Sequence, residues 1–77
     1  MNHFDTLQQI FRRVFQENAL ILTRALEAKD ITMWDSLTHL ELIVEIENTF
    51  GIQIPFEQVT TFQNAGDLID CVTELTQ

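Results

Sequence analysis

The sequence predicts an all-α fold, a small four-helix bundle with three main helices, one short helix and a long loop after the first. Three observations carry that prediction. Apolar residues recur at spacings of three and four in three separate segments, capping residues precede these segments, and only two glycines and one proline interrupt the 77 residues. With 45% of its residues apolar, the chain reads as a single ordered domain, residues 1–77, burying roughly 60% of the surface its unfolded form exposes. Little interior is then left for an elaborate catalytic centre, which favours a small binding or carrying module.

In the first helix, predicted over residues 4–17, Leu7, Ile10, Phe11, Val14 and Phe15 form the apolar stripe, with Asn2 or Asp5 able to cap its start. Asn18 to Met33 lacks a period and is predicted as a long connection, pinned by its apolar residues, with a short helical turn around Ala25 to Lys29. Asp35 is a good N-cap for a helix from Ser36 to Phe50, and Gly51 follows where a left-handed residue ends a helix. Within that helix Leu37, Leu40, Leu42, Ile43, Val44, Ile46 and Phe50 cover about 220° of the wheel, while Thr38, Glu41, Glu45, Asn48 and Thr49 fill the rest. Two-sided packing is therefore expected, with Glu41 and Glu45 as an outward negative stripe. Ile52-Gln53-Ile54 is too short for a paired strand, and Pro55 can open a short helix through Val59. Asn64 with Asp67 resembles a capping arrangement for the last helix, whose stripe is Ala65, Leu68, Ile69, Val72 and Leu75.

The net charge of −8 is unevenly spread: every basic residue (Arg12, Arg13, Arg24, Lys29) precedes Asp30, and from Asp30 onward there are nine acidic residues and no basic one. Such a surface repels nucleic acid and anionic lipid and steers the protein toward basic patches on other proteins, although acidic faces also simply keep small proteins soluble. No apolar run approaches the roughly 18 residues that span a bilayer. A cytoplasmic protein without membrane insertion, and a monomer, is the expectation. The lone Cys71 makes no intramolecular disulfide, and with only His3 and His39 to help it no zinc site is expected. It reads as a small apolar filler.

From Trp34 onward the chain contains Asp35-Ser36-Leu37, then Leu40-Glu41-Leu42 and Glu45-Ile46-Glu47, then Phe50-Gly51-Ile52-Gln53-Ile54-Pro55, then Thr60-Thr61-Phe62 and Asp67-Leu68-Ile69. In that order these motifs resemble the acyl carrier protein family. The resemblance implies that Ser36 is modified with 4'-phosphopantetheine, whose thiol carries acyl groups as thioesters, and that Asp35 and Leu37 position the serine. It implies a phosphopantetheinyl transferase that supplies base and metal ion, so that the carrier itself is no enzyme. Further implied partners are acyl-loading, condensing or acyltransferase enzymes with basic grooves that dock Leu37, Leu40, Glu41, Val44, Glu45 and Glu47. A covalently attached phosphate also suits a helix N-terminus, where free N–H groups and the macrodipole favour negative charge.

Two other classes compete. Asp35, Ser36 and His39 lie close in sequence, and Ser36 and His39 at i and i+3 could meet in a hydrolase-like pair, but a triad also needs an oxyanion hole and a cleft that a domain this small has little scaffold to supply. An acidic interaction module of the same fold that is never modified is the other. An aminoacyl or peptidyl carrier is a variant of the carrier reading.

Departures from the fatty-acid-synthesis pattern point to a specialised carrier: Met33-Trp34 stand where a small pair is typical, Thr38-His39 follow where an acidic residue is typical, and the segment from Pro55 to Thr60 is about one helical turn shorter. Trp34 itself reads as a packing residue that holds the loop to the helix. The resemblance further implies an acyl pocket lined by Leu42, Ile46, Ile54, Val59, Phe62 and Leu68, which the bulk of Phe50, Phe56 and Phe62 should narrow enough to sequester long chains poorly.

Overall fold

The computed structural model describes residues 3–77, in the order α1 (His3–Phe15), a single 3-10 turn (Ala28–Asp30), α2 (Ser36–Phe50), α3 (Phe56–Val59) and α4 (Ala65–Leu75). No strand occurs among the described residues. The all-helical architecture, with one short helix and a long first loop, is the one the periodicity predicts. Leu7, Ile10, Phe11 and Phe15 of α1, Leu42, Ile43 and Ile46 of α2, and Ala65, Leu68, Ile69 and Val72 of α4 meet in one core. That agreement follows from the stripes: each helix buries the side on which its apolar residues recur.

The first helix ends earlier than its pattern suggests. Gln16 adopts a left-handed conformation (φ 55°), and the Glu17 N–H donates back to the Arg12 carbonyl at 3.0 Å, a helix closure in which a left-handed residue turns the chain away. Asp5 lies within the first turn of α1 rather than at its cap, and Asn2 lies outside the described residues.

Residues 16–35 are held down by two buried side chains, Leu22 and Ile31, and by polar ties to α1. Arg12 Nε donates to the Leu20 carbonyl at 2.7 Å, and Gln8 Oε1 accepts from the Leu22 N–H at 2.9 Å. The expected turn forms slightly later than Ala25 to Lys29, over Ala28–Asp30, with the Asp30 carboxylate accepting from the Glu27 N–H.

The same loop also caps α4. Asn64 Oδ1 accepts from the Asp67 N–H, and Asp67 in turn accepts from the Gln63 N–H, both at 3.0 Å. The first two amides of α4, from Ala65 and Gly66, donate to the Leu26 and Arg24 carbonyls at 2.8 and 2.9 Å. First-turn amides that a helix cannot satisfy internally are thus completed by the loop. The Arg24 guanidinium then grips Asp70 in a fork at 2.9 and 2.8 Å, holding that carboxyl below its usual range. Cys71 is buried next to this junction, its Sγ donating to Gln58 Oε1 at 3.3 Å, and burial together with Glu74 pushes its thiol pKa upward. The apolar-filler role fits.

Two expectations about side chains are corrected. α2 packs on one side only: Leu37, Leu40 and Val44 are 67%, 47% and 53% exposed, whereas Thr38, placed on the outer sector by the wheel, is buried. Phe56 is 72% exposed, so its ring does not fill the interior, whereas Phe50 is half-buried, meets His3 edge-on and packs against the core from its margin.

Gly66 is the residue that lets the loop approach α4. A Cβ there would lie 2.9 Å from the Arg24 carbonyl oxygen and 3.2 Å from Arg24 Cβ. Helix propensity alone favours Gly→Ala by about 1 kcal/mol, but pushing backbone away from a packed contact typically costs about 1–3 kcal/mol. Gly66→Ala is therefore expected to lower stability in urea melts by about 1 kcal/mol net; an increase would mean the loop yields freely.

Candidate functional site

At the head of α2 the chain uses a reciprocal cap. Asp35 is extended (φ −125°, ψ −171°) and its Oδ1 accepts from the Thr38 N–H at 2.9 Å, while Thr38 Oγ1 accepts from the Asp35 N–H at 2.8 Å. The Thr38 hydroxyl proton goes to the Met33 carbonyl. This is a capping box with threonine in the place more often held by Glu or Gln, and it explains why Thr38 is buried. Hydrogen bonding, first from the Thr38 N–H, holds the Asp35 carboxyl below its usual range despite an opposing desolvation. Ser36 and Leu37 follow the cap and project outward. Ser36 is exposed, its hydroxyl has no hydrogen-bond partner among the described residues, and it is the chain's only serine.

Trp34, one residue before the cap, packs against Phe11 and Phe15 with ring centroids 5.6 and 5.2 Å away. It does hold the loop to the bundle, and it does one thing more. Its Nε1–H donates to His39 Nδ1 at 3.0 Å. Indole nitrogen can only donate, so Nδ1 is the acceptor and the ring proton sits on Nε2, which lies 2.9 Å from the Val59 carbonyl and donates to it. Both nitrogens of His39 are therefore engaged away from Ser36. The hydrolase-like pair suggested by their spacing does not form, and Asp35 is a cap rather than an orienting acid.

Beside Ser36 an open cleft of about 500 Å3 runs between the start of α2 and α3, lined mainly by Trp34, His39, Leu40, Phe56, Val59 and Phe62, with Asp35 and Ser36 at its rim. Of the residues expected to line an acyl pocket, Val59 and Phe62 reach this cleft. Leu42, Ile46 and Leu68 are 0–1% exposed and Ile54 is buried, all as packed core.

Along the outer face of α2, Leu37, Leu40, Glu41 and Val44 are exposed together. Glu45 pairs with Arg13 at 2.9 Å across to α1, a largely solvated contact that holds it only weakly. Glu47 stands apart from them: it is half-buried, and its Oε2 accepts from the Ile54 N–H at 2.7 Å, which ties the segment after α2 to the helix. Among the described residues no group of three or more His, Cys, Asp and Glu side chains could hold a metal ion, and no helix is long and apolar enough to cross a membrane.

The roles of Thr38 and His39 were missed by sequence reasoning. Thr38 had a signal, since Asp35-x-x-Thr38 has the spacing of a capping box. His39 had none, because its partners Trp34 and Val59 lie outside the helix that carries it.

The structure thus presents a helical domain with one exposed serine directly after a hydrogen-bonded cap. Comparison with known proteins gives its class. Residues 5–72 match the family model described as the phosphopantetheine attachment site. A segment of 40 residues, 52% of this chain and half of its relative, is 50% identical to an acyl carrier protein of Chloroherpeton thalassium. Over 92% of this chain and 91% of the relative, identity to an acyl carrier protein of Helicobacter pylori is 32%. The fold matches the solution NMR structure of a holo acyl carrier protein from Geobacter metallireducens with a TM-score of 0.89 and 40% identity, covering 97% of this chain and 86% of that one. The chain belongs to the phosphopantetheine attachment family, as an acyl carrier protein whose working thiol is supplied by covalent phosphopantetheine. It carries groups between enzymes and is not itself one.

The cap makes a pH-dependent contribution with a definite sign. Because the folded-state pKa of Asp35 is depressed, its stabilisation is present above the unfolded carboxyl pKa and fades as pH falls through the folded one. Asp35→Asn is expected to be less stable than the wild type at neutral pH, with the gap closing in acid. Urea melts at stepped pH check this; a gap constant down to the acid limit would contradict it.

Proposed function

We propose that Ser36 is the attachment point, and that the protein is a dedicated carrier of acyl thioesters for a specialised pathway. The observation that carries this reading is the geometry at the head of α2: Asp35 and Thr38 lock the backbone in a reciprocal cap while the adjacent Ser36 hydroxyl stays exposed and opens on an apolar cleft. In the modification the Ser36 oxygen forms a bond to phosphorus, the pyrophosphate of coenzyme A breaks, and adenosine bisphosphate leaves. The hydroxyl proton passes to a base on the transferase, which accounts for the lack of one here. The phosphodiester then lies at the N-terminus of α2, on the favourable end of its dipole.

Leu37, Leu40, Glu41, Val44 and Glu45 form the face offered to the transferase and to acyl-loading, condensing or acyltransferase enzymes. Apolar side chains left in water beside acidic ones suit a partner groove with an apolar floor and basic rim. Glu47, tied to Ile54, contributes to that face through its charge more than through direct contact. Localisation in the cytoplasm is consistent with partners of this kind.

Thr38 and His39, which set this chain apart from the fatty-acid-synthesis pattern, both have defined tasks at the site, and this favours specialisation. Incubation with coenzyme A and a broad-specificity transferase should add the mass of one phosphopantetheine, and Ser36→Ala should abolish the gain. No gain in the wild type would make the protein an unmodified interaction module. In an exchange experiment, the gene should fail to restore bulk fatty acid synthesis to a strain lacking its housekeeping carrier; restoration would remove the specialised assignment.

A further inference from the structure

We infer that His39 decides where a thioester-bound group rests: it bolts the bundle interior shut on the side of Ser36, so the cargo this carrier shelters is a short or aromatic acyl group held in the outer cleft. The inference rests on attachment at Ser36 and concerns what the surrounding side chains then do.

His39 spans the cleft floor. One ring nitrogen is tied to Trp34 before α2 and the other to the Val59 carbonyl at the end of α3, at 3.0 and 2.9 Å. Its ring stacks nearly parallel to the Trp34 indole (17°, centroids 6.1 Å apart) and meets the edge of Phe62 at 6.3 Å. Leu42, Ile46 and Leu68 lie in the core at 0–1% exposure. For an aliphatic chain to pass from the Ser36 side into that core, Val59 must part from His39. That would break a hydrogen bond whose acceptor belongs to a residue only 4% exposed, and a buried acceptor is costly to leave unpaired.

Outside the bolt the chemistry is different. Trp34, His39, Phe56 and Phe62 offer four rings around an open apolar space, and aromatic groups gain from stacked and edge-on contacts beyond the area they bury. Because both its nitrogens are already engaged, His39 itself offers no free polar group to a charged cargo, and the polar lining is confined to Asp35, Ser36, Thr60 and Gln63. Poor sequestration of long chains therefore follows from a hydrogen-bonded histidine, with Phe50 and Phe62 only bordering the core.

The experiment loads wild-type protein and His39→Ala from benzoyl, butyryl and dodecanoyl coenzyme A with a broad transferase. Intact mass verifies loading. In the wild type, benzoyl loading should change the emission of Trp34, the chain's only tryptophan, and dodecanoyl loading should leave the methyl NMR shifts of Leu42, Ile46 and Leu68 in place. In His39→Ala the dodecanoyl group should move those shifts and its thioester half-life in hydroxylamine should lengthen by about fivefold, the factor that one net hydrogen bond is worth. Wild-type dodecanoyl protein that already shifts the core methyls, or benzoyl loading that leaves Trp34 emission unchanged, would overturn the inference. If His39→Ala does not fold, the wild-type measurements still decide. Absence of any mass gain refutes attachment itself, and the inference with it.

Discussion

The hydrogen bond from the Trp34 indole to His39 is the constraint around which the working end of this bundle is organised. The indole lies between the aromatic residues of α1 and the first turns of α2, and the histidine passes the connection on to the end of α3. Because indole can only donate, a single contact fixes the tautomer of His39, its ring plane and the carbonyl it can reach. Loop, α1, α2 and α3 are thereby placed relative to one another by side chains centred on Trp34 and His39, which line the same cleft as Ser36. The reciprocal cap of Asp35 and Thr38 completes the arrangement by fixing the backbone on either side of that serine.

What the sequence disclosed, and what it did not, divides along physical lines. Caps are local, and so Asp35, Gly51 and Asn64 could be read from a few neighbouring residues. The stripes of α1 and α4 could be read because burial on one side imposes a period. The wheel of α2 misled in both directions. Thr38 is polar yet buried, since its hydroxyl and amide are both engaged in the cap, and Leu37, Leu40 and Val44 are apolar yet exposed, since none of the described residues covers them. A wheel records polarity and carries no information on whether an apolar face is covered by the chain's own residues. Gly66 and His39 were opaque for a different reason: each is explained by a residue at least 20 positions away, Arg24 in one case and Val59 in the other.

The uneven charge distribution also acquires a structural meaning. Arg24 reaches α4 through Asp70, Arg13 reaches α2 through Glu45, and Arg12 secures the loop at Leu20. Each exposed ion pair contributes little by itself, but together they use the cations of the first half as clasps. The second half keeps most of its negative charge facing outward, so an incoming basic surface meets few competing cations on α2.

Cys71 bears on the chemistry of a carrier from an unexpected direction. Its sulfur is buried and hydrogen-bonded to Gln58, and burial together with Glu74 raises its pKa, which lowers the share of thiolate, the nucleophilic form. An activated acyl group on a carrier is exposed to capture by any thiolate within reach, including one from the same chain. Burial and a raised pKa both make this sulfur a weaker competitor for such a group. Reagents selective for thiolates should therefore discriminate between it and the prosthetic thiol without any need to replace the cysteine.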